Sequence, residues 1–260
     1  MSDRHSSQIA DFPLVVGLMK ILHGKRHSAN QGLTIMECLV AILLIGLTTA
    51  MITPPLVVAT ATRVQNRRAE QALQLAQDEV DRVLTLVQQG VHTGNVLPAA
   101  VGNTANLRDS VPAPTRLSNY LKSARKSGCV GTTVYNYQAI IPANEALPVD
   151  VDGDCEEDFF VQVFRTSGVL TKGEAIKLAP EQRPAKFDLG VRVYSRLAEN
   201  NLSTGKLGTE PASLQITQGQ GKQASNPLAV VYRPIIWSEQ SDALCESLSA
   251  TAKAALTACE

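Results

Sequence analysis

The chain has no net charge and few aromatic residues, and both features restrict what it binds. Lysine and arginine together number 24 in the 260 residues, as do aspartate and glutamate. Nucleic-acid-binding proteins usually carry a basic excess or stripe, and single-strand binders add aromatic side chains on which bases stack. Because aromatic residues make up 4% of the chain, the sequence predicts no nucleic-acid partner.

Histidine is scarce, and the common catalytic motifs are missing. Three of the four histidines lie in the first 30 residues, which leaves His92 as the one imidazole beyond them. The sequence contains no GxSxG nucleophile elbow, no P-loop and no dinucleotide fingerprint. A membrane-tethered hydrolase would depend on His92 alone, so the sequence predicts a protein that is not an enzyme.

The five cysteines form no CxxC pair, which argues against a zinc ribbon or a thioredoxin-type site. Cys38 lies in an apolar run and is expected to be a free thiol. The other four favour two disulfides in an exported domain. Nearest-neighbour pairing predicts Cys129–Cys155 and Cys245–Cys259, although four cysteines allow three connectivities.

The chain does contain one long apolar run, residues 33–53, in which Glu37 is the single charged residue. As a helix it would be about 31 Å long, which matches the hydrocarbon core of a bilayer. Lys20, Lys25 and Arg26 precede it, so the positive-inside rule predicts a cytoplasmic N-terminal end and a translocated remainder. Disulfides require the same orientation.

Glu37 is the anomaly in this run. A carboxylate inside an apolar helix costs on the order of 2.5–3.5 kcal/mol on insertion scales, so such a residue usually has a partner and a function. The alternative is that Glu37, which is near the start of the run, extends its side chain to the membrane interface at little cost.

Pro54 and Pro55 follow the run, and a second helix signal follows them. The prolines predict a kink or a melted stretch, or the end of the membrane helix. Residues 61–89 repeat apolar positions at steps of three and four, which predicts an amphipathic helix that stops at Gly90. Periodicity leaves open whether this helix continues the first or belongs to a tethered soluble domain. The apolar positions are Ala69, Ala72, Leu73, Ala76, Val80, Val83, Leu84 and Val87.

Residues 91–260 have the pattern of a β-rich domain. A loop is expected at 91–114, a short helix at 117–126 and a further helix in the tail from Ser241. Consecutive strands joined by loops predict an antiparallel sheet and, with the long helix, an α+β fold. Strand-like runs rich in β-branched and aromatic residues occur at 134–141, 159–166, 187–197, 213–217 and 228–236.

One acidic stretch has the composition of a calcium-binding loop. Asp150, Asp152 and Asp154 alternate along the chain and Asp158 follows, and calcium takes six to eight oxygen ligands. The start resembles an EF-hand loop, but its glycine is misplaced and a strand follows. The favoured alternative is a solvated hairpin loop pinned by Cys155, with no cofactor.

The residues around Gly32 resemble the processing site of type IV prepilins and type II secretion pseudopilins. Gly32 is followed by the hydrophobic Leu33, and Glu37 is the fifth residue after the glycine. A basic leader precedes this site, an unbroken apolar run follows it, and Pro54 lies where many pilins have a helix-kinking proline. The flanks, Gln31 and Leu33, depart from the basic residue and the Phe or Met that are common in the family.

The resemblance implies how the chain is processed and assembled. A prepilin peptidase would cut between Gly32 and Leu33 and methylate the new N-terminal amine. Glu37 would then neutralise the Leu33 amine of a neighbouring subunit as the helices stack, since a buried carboxylate and a buried ammonium each need the other. The implied partners are other pilins or pseudopilins, the peptidase and an inner-membrane assembly platform.

The resemblance also implies an organisation and a function. Its segments are a leader (1–32), a transmembrane assembly helix (33–53), an amphipathic continuation (54–90) and a disulfide-stapled head packed on that helix (91–260). The implied protein is a single-pass subunit of the bacterial inner membrane, with a cytoplasmic leader and a periplasmic or extracellular head, that joins a type IV pilus-like or pseudopilus filament. The tracts 54–83 and 158–168 are similar to hormogonium-type pseudopilins of cyanobacterial polysaccharide secretion, which implies polysaccharide export and motility.

The alternative function is a membrane-anchored binding module that does not polymerise. Its head would capture a ligand outside the cytoplasm, with or without calcium. Glu37 discriminates between the two, because a plain anchor has no need of a carboxylate in its apolar helix.

Overall fold

The computed structural model describes residues 34–104, 106–125, 128–213 and 222–238, together with Cys245 and Leu248. The chain divides into two compact units, of which the first ends at Pro54 and the second begins at Pro55. Several predictions lie outside the described residues. These are the leader with Gly32 and Leu33, the strand at 213–217 beyond Ser213, and the tail helix apart from Cys245 and Leu248.

One helix, α1 (Ile35–Gln88), contains both helical segments that the sequence predicts. The chain stays helical through Pro54 and Pro55, so neither a melted stretch nor a helix end occurs there. Each proline removes only its own N–H donor, and the hydrogen bonds of the neighbouring turns keep the chain helical.

The helix stops at Gly90, as the sequence predicts. Gly90 has a φ of +67°, a left-handed conformation that costs glycine little. The Gly90 N–H donates to the Val87 carbonyl at 3.0 Å and the Val91 N–H to the Leu86 carbonyl at 3.1 Å. These are the two hydrogen bonds of a Schellman motif, which satisfies carbonyls that the helix end leaves free.

The second unit is built on a mixed sheet. In order along the sheet the strands are β3, β2, β4, β5, β6 and β7, and β1 also pairs with β4. The strands are β1 (Arg116–Leu117), β2 (Tyr120–Ser123), β3 (Thr133–Val134), β4 (Glu145–Asp150), β5 (Phe159–Arg165), β6 (Lys186–Ser195) and β7 (Ala229–Ile236).

The α+β prediction is confirmed, but the purely antiparallel sheet is wrong. Strands β4 to β7 pair antiparallel, whereas β1 and β2 both run parallel to β4, and β3 runs parallel to β2. The long connection from Ala124 to Asn144 brings the chain back in the same direction, which a short hairpin cannot do.

Three predicted strands are confirmed and one is wrong. The runs at 159–166, 187–197 and 228–236 form β5, β6 and β7. The run at 134–141 is strand only at Val134, and the expected helix at 117–126 contains strand β2 instead. Within the expected loop at 91–114, a short helix α2 (Leu107–Ser110) is present.

Helix α1 packs one stripe against the sheet. Five predicted apolar positions are buried in the main core, and Leu73 is exposed. The sheet's other face carries two smaller clusters around Phe160 and Phe164, so β5 is covered on both faces. The buried helix residues are Ala72, Ala76, Val80, Val83 and Val87, and their sheet partners include Leu147, Val161, Leu189, Val191 and Val193.

Two further helices, α3 (Lys172–Ala175) and α4 (Glu199–Ser203), lie in the connections around β6. The Thr171 hydroxyl caps α3 by accepting a hydrogen bond from the Glu174 N–H at 3.3 Å. This capped turn positions the buried Glu174 side chain that ties α3 to the segment before β6.

Candidate functional site

The first part of α1 is apolar on all sides and exposed. Its most apolar window has a mean hydropathy of 2.3, and none of that window is buried within the chain. By length and composition, the helix can cross a membrane. Its large apolar side chains, Ile42 and Leu43 among them, have no protein partner to cover them among the described residues.

The hydroxyl groups of three threonines within this apolar stretch are satisfied locally. The hydroxyl of Thr48 donates to the carbonyls of Leu44 and Ile45 at 3.0 and 2.9 Å. Thr49 and Thr53 donate to the carbonyls four residues before them, both at 2.7 Å. Threonine hydroxyls bonded in this way do not require water, so they are tolerated in a lipid environment.

Glu37 lies in the first turn of α1, beside a capping residue. The Thr34 hydroxyl accepts a hydrogen bond from the Glu37 N–H at 3.2 Å. Thr34 and Glu37 therefore have the spacing of a capping box, Thr-x-x-Glu, and an acidic side chain at this position also favours the helix dipole. This spacing is visible in the sequence and could have predicted the cap.

The carboxylate of Glu37 is exposed and forms no ion pair with any described residue. Thr34 engages only the backbone N–H, so the side chain remains available to another group. Cys38 beside it is a free, exposed thiol, as predicted. The predicted partner of Glu37, the amine of Leu33, lies outside the described residues.

Three exposed arginines, Arg63, Arg67 and Arg68, follow the apolar stretch on α1. Basic residues therefore flank the stretch on both sides, because Lys20, Lys25 and Arg26 precede it. The positive-inside rule depends on a difference between the two flanks. The flanking charges therefore do not by themselves assign an orientation to the helix.

A buried ion-pair network joins the second part of α1 to the sheet. Glu79 is buried, and its two carboxylate oxygens accept from Lys122 Nζ at 3.2 Å and from Arg82 Nε at 2.8 Å. Lys122 belongs to β2, so the network fixes the rotation of α1 against that strand. The periodicity of the sequence predicted the apolar stripe but not this acidic member of it.

The predicted disulfide between Cys129 and Cys155 is present. It ties the connection after β2 to the acidic loop that follows β4. Cys245 is also disulfide-bonded, and its predicted partner, Cys259, lies outside the described residues. Disulfides are typical of proteins that mature in oxidising compartments.

The acidic loop is organised by Asp150, which is buried. Its carboxylate accepts hydrogen bonds from the Ser123 hydroxyl at 2.6 Å, the Gly153 N–H at 2.6 Å and the Cys155 N–H at 3.0 Å. Burial raises the pKa of Asp150, but these hydrogen bonds outweigh burial and the pKa is lowered. The carboxylate anchors the loop.

The other predicted calcium ligands are only partly gathered. Carboxylate oxygens of Asp150, Asp152 and Asp154 lie within 4.8 Å of one another. Asp158 is not in this group, because its carboxylate accepts the Val151 N–H at 2.8 Å. Since Asp150 already accepts several internal hydrogen bonds, the geometry favours the pinned loop over a calcium site. Cys129 and Cys155 also lie near Asp150, but their disulfide leaves no thiolate for a metal.

His92 is buried and packed, which places it out of reach of a substrate. Its Nε2 lies 3.2 Å from the Pro184 carbonyl, and its ring makes an edge contact with Trp237 at 4.7 Å between centroids. Burial lowers the pKa of His92 to about 4, so the ring is neutral at pH 7 and donates from Nε2. The geometry gives this histidine a packing role.

The structure defines an α+β domain and, within the part of the chain that it describes, one helix long and apolar enough to cross a membrane. Comparison of the chain with protein-family models, with curated proteins and with solved structures found no match.

Proposed function

We propose that this chain is a pilin-like structural subunit, a pseudopilin or minor pilin, that assembles through α1 into a type IV pilus-like or pseudopilus filament. The observation that carries the proposal is an exposed apolar stretch of helix whose first turn contains a carboxylate, Glu37, that pairs with none of the residues the structure describes. The processing residues Gly32 and Leu33 complete the proposal.

An exposed apolar helix needs either lipid or other helices around it. In the membrane, lipid covers the side chains on every side. In a filament, neighbouring copies of the same helix would replace the lipid, so one surface serves both states. Large side chains such as Ile42, Leu43 and Met51 are exposed and available for that exchange.

Glu37 supplies what a plain anchor lacks. An unpaired carboxylate moved from the membrane interface into a helix bundle pays a large desolvation cost unless a cation meets it. The amine of Leu33 on a neighbouring subunit, freed by cleavage after Gly32, would be that cation. The Thr34 cap leaves the carboxylate free for this pairing because it binds only the Glu37 N–H.

The proposed location is the bacterial inner membrane, with the leader in the cytoplasm and the head in the periplasm or outside the cell. The disulfide between Cys129 and Cys155 supports this orientation, because such bonds persist in oxidising compartments. The proposed partners are other pilins, a prepilin peptidase and an assembly platform. The filament would function in secretion, of polysaccharide in particular, or in motility.

Mass spectrometry of the N-terminus of the chain purified from native membranes tests the processing step. We expect a mature chain that begins at an N-methylated Leu33. An intact Met1, or a cut at another position, would contradict the proposal and favour the membrane-anchored binding module.

Substitution of Glu37 tests the assembly step separately. Glu37→Gln removes the charge and keeps the side-chain length, so we expect normal membrane insertion but loss of filaments from a sheared surface fraction. Glu70→Gln is the matched control, because Glu70 is an exposed acidic residue later on α1. Filaments that persist with Glu37→Gln would rule out the ion pair as the assembly determinant.

A further inference from the structure

Arg165, at the end of β5, is a buried cation that the protein only partly satisfies. Its side chain is 7% exposed. Nε donates to the Pro98 carbonyl at 3.0 Å, and Nη1 donates to the carbonyls of Thr166 and Ser167 at 2.9 and 3.2 Å. The guanidinium also lies over the Phe187 ring at 5.7 Å.

The third guanidinium nitrogen, Nη2, has no acceptor among the described residues, and no described carboxylate pairs with Arg165. Burial alone lowers the pKa of this guanidinium to about 10, and no acidic neighbour raises it. Arg165 is therefore charged at pH 7 and largely buried, and Nη2 is its one nitrogen that remains open to solvent without an acceptor among the described residues.

Arg192, in the same sheet, is a buried arginine whose hydrogen-bond donors are satisfied within the protein. It is fully buried, and each of its three nitrogens has at least one acceptor. It is also stacked over the Phe164 ring at 4.8 Å. The acceptors are the Tyr232 hydroxyl, the Gln162 side-chain carbonyl and the backbone carbonyls of Arg108, Val111 and Pro112.

A cavity of about 410 Å³ lies beside Arg165, which is the one charged residue in its lining. A volume of this size is within the range of small-molecule sites, which are mostly apolar with a few polar groups that orient the ligand. The Ser167 side chain, which is exposed, adds a hydroxyl to the rim. The apolar walls include Pro98, Ala99, Leu170 and Pro184.

We propose that this cavity binds a small acid, in which a carboxylate receives a hydrogen bond from Nη2 of Arg165 and an apolar body fills the space between the proline and alanine walls. A buried cation without a counter-ion is costly, and a ligand carboxylate would supply the missing charge. The proposal concerns the head alone and does not depend on filament assembly.

The test uses the full chain in lipid nanodiscs and fluorine NMR of 4-fluorobenzoate, with 4-fluorobenzamide as the uncharged isostere and empty nanodiscs as the background. We expect the benzoate to bind at least about tenfold more tightly than the benzamide, since a charge-assisted hydrogen bond is about twice as strong as a neutral one. Equal binding of the two probes would overturn the proposal.

Arg165→Met keeps most of the packing of the side chain and removes its charge. We expect it to abolish the preference for benzoate, whereas Arg108→Met, at an exposed arginine, leaves the preference unchanged. Retention of the preference in a folded Arg165→Met protein would contradict the assignment.

Ile140 provides variants that do not depend on tolerance of a change at Arg165. It lines the cavity and is 45% exposed, so polar residues fit there without loss of the fold. Ile140→Glu should weaken benzoate binding several-fold and Ile140→Lys should strengthen it, with Ile140→Gln as the uncharged control. If the glutamate and lysine variants both weakened benzoate binding, or both strengthened it, the proposal would be overturned.

Discussion

Helix α1 contains two stretches whose apolar residues meet different surroundings. In the first, Ile42 is 71% exposed, whereas Ala76 and Val83 in the second are fully buried. The first stretch is apolar on all sides and uses large side chains, but the second has a narrow stripe of alanine and valine. The periodicity of the apolar residues, rather than their hydrophobicity, therefore distinguishes a helix surface that is covered by lipid or other helices from one that packs on a sheet.

The largest effect that would test this contrast is a valine-to-aspartate change in each stretch. Val83→Asp places a carboxylate in the core, and we expect a loss of at least about 3 kcal/mol of stability, or no folded head. Val40→Asp should instead impair insertion, by about 2.5–3.5 kcal/mol on insertion scales. The buried Trp237, the only tryptophan, reports head unfolding by fluorescence, and carbonate extraction reports insertion.

The distinction between the two stretches of α1 is wrong if Val40→Asp and Val83→Asp have the same effect on insertion and on head stability. Destabilisation of the head by Val40→Asp would mean that the first stretch contributes to the head's core. A folded, stable head with Val83→Asp would mean that the buried stripe does not hold α1 to the sheet.

The next effect concerns acidic residues on α1. Glu79→Ala leaves the partly buried side chains of Lys122 and Arg82 without their carboxylate. We expect a loss of about 2 kcal/mol, because partly buried donors lose their acceptor. Glu70→Ala, at an exposed position, should change stability by less than about 0.5 kcal/mol. Urea unfolding followed by Trp237 fluorescence measures both, and equal losses would remove the distinction between the two positions.

The pH dependence of the head gives the third effect. The pKa of His92 is lowered from 6.5 to about 4, so the folded protein favours the neutral ring. The contribution of the neutral ring to the stability of the head is present above pH 6.5 and is lost as the pH falls toward 4. At pH 5 the loss amounts to about 2 kcal/mol. Urea unfolding at pH 7 and pH 5 should show this loss, and His92→Gln should remove it.

Glu174 titrates in a lower window, which separates it from His92. Burial raises the pKa of Glu174, but hydrogen bonds from Arg183 and Lys177 outweigh it and lower the pKa to about 2. Its contribution is present above pH 4.5 and is lost between 4.5 and 2. A stability loss confined to this lower window would contradict the assignment of the change between pH 7 and 5 to His92.

Much of the fold could be predicted from local pattern, and the failures have physical causes. Strands β5, β6 and β7 are rich in β-branched and aromatic residues, so these strands could be predicted from the sequence. Strand β4 was not, because it contains Glu145, Pro148 and Asp150. Pro148 is tolerated there because β1 pairs with the first residues of β4 and β2 with its last two, so no neighbour on that side needs its missing N–H.

The sites divide in the same way. The disulfide between Cys129 and Cys155 follows the nearest-neighbour prediction, which was one of three possible connectivities. The Thr34–Glu37 spacing, which is that of a capping box, could have been recognised from four residues of sequence. Parallel pairing and the cavity beside Arg165 depend on contacts between distant segments. Arg165 and Arg192 look alike in the sequence, and only the count of acceptors around each guanidinium separates them.

The smallest effect compares the two capping threonines. Thr171→Ala removes the buried cap of α3, and we expect the head to lose about 1 kcal/mol of stability. Thr34→Ala removes the cap of α1 at an exposed end, so the head should unfold at the same urea concentration while the Glu37 amide exchanges its hydrogen faster. Hydrogen-exchange mass spectrometry in nanodiscs detects that local change. A shift in head stability with Thr34→Ala would show that the first turn of α1 is coupled to the domain that begins at Pro55, and the two stretches of the helix could no longer be treated as energetically separate.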